Sequence, residues 1–176
     1  MLLTLIMMPH ATVIPLVLTL KIDEQSQLFF DEQRTAYFPA RANYVPAHIT
    51  LFHKLPANNI DIETELTAFA KHATFELLIT DIMLSETSVS YSIVSSEVKH
   101  LHAEMQLKFE PYLIRNDKKI LKCHITIQNK VTAYKAYKTH AFLIKDFKPF
   151  VVKAIGFTSW YYVKSYWVKK EDYLFQ

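Results

Sequence analysis

The triplet His-Ile-Thr occurs twice, at His48–Thr50 and His124–Thr126, and the copies lie 76 positions apart in the stretches PAHITLF and KCHITIQNK. The chain holds 8 His, and random placement predicts roughly 0.05 such triplets, the false-positive level that any short motif must exceed. In a strand, alternate side chains share a face, so His48 and Thr50 point one way and Ile49 and Leu51 the other. His124, Thr126 and Gln128 share a face in the same manner, opposite Cys123, Ile125 and Ile127. Each strand then offers an imidazole beside a hydroxyl, on a platform anchored by aliphatics. Near neutral pH an imidazole serves as acid or base. A facing pair can take a proton from an attacking oxygen and return one to a leaving oxygen. The two hydroxyls can donate to phosphate oxygens as charge builds. Platforms that meet across a cleft would place the ring nitrogens roughly 4–8 Å apart, touching one phosphate. This set suits phosphodiester chemistry with no metal and no cofactor. Zinc would want further ligands, and no Asp or Glu stands at i±2 or i±4 of either histidine.

Composition closes off other chemistries. Gly156 is the single glycine, whereas a dinucleotide fingerprint or a P-loop needs several for close backbone approach to phosphate. Cys123 is the single cysteine, which excludes an internal disulfide and a cysteine zinc cluster and fits a reducing cytoplasm. A net charge of +3 tolerates an anionic substrate but is not the footprint of a duplex-DNA binder. With 51% apolar residues the chain can bury a core and is not disordered.

The two motifs, HITL and HITI, resemble those of the two-histidine (2H) phosphoesterase superfamily, which includes 2′-5′ RNA ligase-like proteins and cyclic phosphodiesterases. The wider stretches PAHITLFHKLP and HITIQNKV are similar to its bacterial, small-domain branch. The resemblance implies a bilobal α+β fold of two similar lobes, each a small, mostly antiparallel sheet with flanking helices around a central cleft. It implies cleavage or formation of 2′-linked phosphoesters in RNA-like substrates or small nucleotides, with His48, Thr50, His124 and Thr126 catalytic. A non-catalytic RNA or nucleotide binder using the same cleft is the alternative. Ligase-like members often carry an arginine shortly after the second motif, where this chain has Asn129 and Lys130.

The elements that must position the motifs follow from hydrophobic period and breakers. TVIPLVLTLKI predicts a strand, EQSQLFFDEQRTAYF a helix stopping before Pro39, and AHITLFHKL a strand closed by Pro56. DIETELTAFAKHA predicts a helix with Asp61 as N-cap, and FELLITDIML and SVSYSIVS predict paired strands. SEVKHLHAEMQLKFE predicts a helix, ILKCHITIQN a strand, VTAYKAYKTHAFLIKDF a helix, and FVVKAIGFTSWYYVKSYWV two closing strands. Each half thus carries a motif strand followed by a helix within one domain spanning 11–176. Residues 1–10 are read as an extension ahead of it, with a membrane anchor or signal peptide as the minor reading, since Pro9, His10 and Pro15 interrupt the apolar run.

Around the motifs, Gln128 is expected to contact a phosphate oxygen, and Lys130 to join it if the strand runs that far. Tyr91, Trp160 and Tyr162 lie in strands, and Tyr91 is taken as a base-binding candidate, against the ordinary role of aromatics in a core. Regular alternation puts His53 on the Ile49/Leu51 face, in a structural role. His72, His100, His102 and His140 fall on helices with no partner motif and are expected to be solvated. The protein is expected to act as a cytoplasmic monomer on an RNA or nucleotide phosphoester, with no duplex DNA and no membrane as partner.

Overall fold

Five of the eight residues of PLVLTLKI are buried in one unbroken run, the pattern of a strand with neighbours on both sides. In the computed structural model, which describes residues 14–164 and 166–176, this segment is β1 (Pro15–Ile22), and it pairs with β2 (Ile49–Pro56) on one edge and β6 (Phe150–Val163) on the other. The remaining strands are β3 (Phe75–Leu84), β4 (Val89–Val94), β5 (His124–Gln128) and β7 (Tyr166–Leu174). All seven form one antiparallel sheet in the order β2-β1-β6-β3-β4-β5, with β7 on β6. Four helices complete the α+β fold: α1 (Glu24–Tyr37), α2 (Ile60–Phe69), α3 (Ser96–Phe109) and α4 (Ala133–Leu143).

The two halves expected from the motif repeat are spliced by β6. Its first residues, Phe150–Ala154, pair with β3, and its later ones pair with β1 along one edge and β7 along the other. The two motif strands, β2 and β5, therefore end the main strand order at opposite edges, and the sheet curls until they approach one another. One continuous core unites Leu18, Phe30, Ile49, Leu66, Ile79, Ile125 and Phe157.

One cap and three element boundaries needed correction. Asn59, not Asp61, caps α2, its Oδ1 accepting from the amides of Asp61 and Ile62; Asp61 sits in the first turn, where its charge suits the helix dipole. β5 starts at His124 rather than Ile120, because its partner β4 gives way to α3 at Ser95 and leaves the earlier residues without a ladder. α4 ends at Leu143, short of Phe147, and α2 ends at Phe69, short of Ala73, which leaves His72 beyond the helix. The reading of residues 1–10 lies outside the described residues. No helix among those described is long and apolar enough to cross a membrane.

Gly156 sits in β6 at φ +155°, where an added Cβ would meet the carbonyl oxygen of Tyr173 on β7 at 2.4 Å. Gly156→Ala is expected to cost at least about 2 kcal/mol in a urea melt, since both the conformation and the backbone contact resist a methyl group. A stability within about 0.5 kcal/mol of the parent would show that β7 moves aside freely.

Candidate active site

His48 and His124 are held by the same local device. His48 Nδ1 lies 2.8 Å from the carbonyl oxygen of Pro46, and His124 Nδ1 lies 2.7 Å from that of Lys122, each two residues back in the chain. A carbonyl only accepts, so each Nδ1 carries the proton, and each Nε2 has no hydrogen-bond partner among the described residues. The strands repeat a second device. Across β1, Thr50 faces Thr19 and Phe52 faces Leu18, so Leu51 is an extra residue; across β4, Thr126 faces Ser90 and Gln128 faces Val89, so Ile127 is extra. Each motif is thus followed by a β-bulge, which breaks the alternation at that point.

The bulges decide the fate of several expected residues. Beyond Leu51, Phe52 turns into the core and His53 turns out to solvent, the reverse of regular alternation. Beyond Ile127, Gln128 turns inward. It is fully buried, and its Nε2 donates to the Tyr37 carbonyl and to Thr139 Oγ1, so it is not a phosphate contact. Lys130 lies past the end of β5 at φ +58°, beside the β3–β4 turn, where Val131 N donates to Thr87 O. The strand therefore does not run as far as Lys130, which does not line the cavity that Thr50 and His124 share. Tyr91 pairs with Ile125 on the core face and is 3% exposed among Phe29, Phe30, Phe147 and Phe150, so it cannot stack on a base.

Other histidines also depart from expectation. His102 is buried, its Nε2 3.1 Å from the Leu51 carbonyl and its ring stacked on Phe52, so it braces the first bulge rather than meeting solvent. His140 Nε2 lies 2.9 Å from the Ile82 carbonyl, tying α4 to β3. His72 and His100 are exposed.

Around His48, Trp167 packs with ring centroids 4.7 Å apart, and Trp160 follows at 6.0 Å from Trp167. Behind them Trp160 Nε1 donates to Thr19 Oγ1 at 2.9 Å, and Thr158 Oγ1 donates to Asp172 at 2.7 Å. His48 is half-buried in this wall. Desolvation pushes its pKa down to about 4; the hydrogen bond to Pro46 opposes the shift, and the positive charges of Arg34 and His124 add to it. His48 lines a small cavity with Thr19, Thr158 and Trp160. Thr126 Oγ1 receives a hydrogen bond from Ser90 Oγ at 3.0 Å.

Thr50 and His124 line a larger cavity of about 770 Å³ shared with His53, Asn116, Lys119 and Lys122. Sequence reading missed the far wall of this cavity, the loop between α3 and β5. Its run NDKKILK, with three lysines within seven residues just ahead of the second motif, was the available signal. Also unread were Arg34 and Asp117, charged residues buried to 3% and 2% exposure. Among the described residues, no three His, Cys, Asp or Glu side chains cluster as a metal site requires.

Comparison with known proteins agrees with this architecture. The family model described as the 2′-5′ RNA ligase superfamily matches residues 22–164, most of the chain and both motifs. E. coli LigT, solved in complex with 3′-AMP, is similar in fold with a TM-score of 0.58 at 13% identity, covering 93% of this chain and 99% of that one. TT0787 of Thermus thermophilus superposes with a TM-score of 0.59 at 16% identity, covering 91% and 97%. No curated protein matches the chain by sequence. A seven-stranded sheet that curls its two edge strands together, each carrying a His-Ile-Thr motif inside the matched segment, makes the chain a member of the 2′-5′ RNA ligase superfamily of 2H phosphoesterases.

Proposed function

We propose that the protein is a metal-independent phosphoesterase acting on 2′-5′ or 2′,3′-cyclic phosphodiester bonds of RNA or small nucleotides. The observation that carries this reading is the matched pinning of His48 and His124, which fixes both rings in one tautomer with Nε2 free. Thr50 and Thr126, one pleat along from each ring, hold the phosphate. Membership of the superfamily supports phosphoester chemistry, and LigT, the relative in fold, has been solved with 3′-AMP, ATP and phosphate.

The environment of His48 divides the labour. A ring with so low a proton affinity is neutral at physiological pH, the form a general base must have to take the proton from the attacking oxygen. His124 then acts as the acid and protonates the leaving oxygen. In the opposite direction of reaction the roles exchange.

His48→Ala and His124→Ala should each lower kcat by about 10²–10⁴-fold on a 2′,3′-cyclic nucleotide, the range for loss of one general acid or base. The double variant should fall by much less than the product, since the pair acts as a unit. Thr50→Val and Thr126→Val should cost less, each removing one hydrogen bond among several. Single losses under tenfold would overturn the assignment.

The pH dependence has a defined sign. His48 works as a base only when unprotonated, so kcat/KM should hold as pH falls through 6 and drop only as it approaches about 4. An acid limb at the ordinary imidazole value of about 6.5 would remove His48 from that role. Activity should also survive EDTA; its loss on chelation and recovery with zinc would refute the metal-free mechanism.

A further inference from the structure

The cavity beside Thr50 and His124 holds a third imidazole in a fixed setting. His53 Nδ1 donates to Asp117 Oδ1 at 2.8 Å, and the backbone amides of His53 and Lys54 donate to the same carboxylate at 2.9 and 3.0 Å. The Asp117 side chain is completely enclosed, and no lysine or arginine pairs with it among the described residues. Burial alone would raise its pKa, but these hydrogen bonds outweigh burial and hold the group below the usual carboxylate range. Among the described residues, His53 is the one titratable side chain that pairs with this buried carboxylate. With Nδ1 committed, Nε2 of His53 is the free end, and the side chain is 56% exposed along the cavity.

The loop bearing Asp117 is itself fixed. Gln106 on α3 donates to the carbonyls of Asp117 and Lys119 at 2.7 and 3.0 Å. This sets Lys119 and Lys122 along the same wall, neither in an ion pair among the described residues, whereas Lys118 is taken up by Glu110. His53 lies three positions on from Thr50, at most roughly 9–10 Å along the strand, since the bulge at Leu51 shortens the span. That span brings a neighbouring phosphate of an extended strand within reach when one phosphate sits at the paired motifs.

We propose that His53, Lys119 and Lys122 form a second phosphate subsite, and that the preferred substrate is therefore an RNA strand with a further phosphate beside the reacting one, not a single nucleotide. Asp117 is a positioning residue for this subsite. The inference rests on the proposed phosphoesterase reading and names its substrate class.

The test compares two ribonucleotide trimers ending in a 2′,3′-cyclic phosphate, one natural and one with a neutral methylphosphonate at the linkage next to the reacting end. The native protein should turn over the natural trimer with kcat/KM about tenfold or more above the methylphosphonate trimer, the scale of charge-assisted contacts. His53→Gln and the double variant Lys119→Ala/Lys122→Ala, all at exposed side chains, should shrink that ratio toward one. Asp117→Asn should shrink it in part, and the preference should return in Asp117→Glu if a carboxylate in that place is what matters. A native ratio near one, or a ratio that the variants leave intact, overturns the subsite. If neither trimer is turned over, the phosphoesterase reading fails on its own, and the same comparison made by fluorescence anisotropy of labelled trimers still decides the subsite.

Discussion

One buried guanidinium ties the two motifs together. Arg34, near the end of α1, is 3% exposed, yet it reaches across to donate to the Thr126 carbonyl at 2.7 Å and to Asn43 Oδ1 at 3.1 Å. The first contact satisfies the free edge of β5 within the second motif. The second holds the loop that leads into the first. Asp31, one turn earlier, accepts from the Ala47 amide at 2.6 Å, next to His48. A single helix face thus indexes both imidazoles. Desolvation lowers the pKa of Arg34 only to about 10, so the charge persists at neutral pH, and it is one of the positive groups that keep a proton off His48. The residue that ties the two motifs together also adds to the lowered proton affinity of His48, whose main cause is desolvation.

The local character of this arrangement explains what could be read from the chain. The apolar runs and their breakers marked all seven strands and four helices, because burial of a strand like PLVLTLKI leaves a pattern in its own residues. The motif strands were legible up to each threonine for the same reason. Past it, Phe52, His53 and Gln128 went to the opposite face, since a bulge depends on how the partner strand counts residues, and no single strand carries that information. Tyr91 shows the limit of residue type: a tyrosine suited to stacking on a base serves the core once its strand partner Ile125 faces inward.

Burial of polar groups was missed for a related reason. His102 looks solvated on a helix until the bulge at Leu51 presents a bare carbonyl for it to bind. Asp117 lies in a polar loop, where acidic residues are ordinarily exposed, yet three donors from His53 and Lys54 draw it to 2% exposure. In both cases the burial follows from an unsatisfied backbone group on a distant element, which must find a partner when water is removed.

The two motifs are near copies in ring anchoring and bulge, but their surroundings differ. His48 stands against the indole of Trp167 on the β6–β7 hairpin, half-buried, whereas His124 is exposed beside a lysine-bearing loop. A site built from matched halves alone would read the same from either end. The hairpin on one side and the loop on the other remove that degeneracy. The molecule thereby acquires a polarity, with an indole-walled end at His48 and a lysine-bearing end at His124.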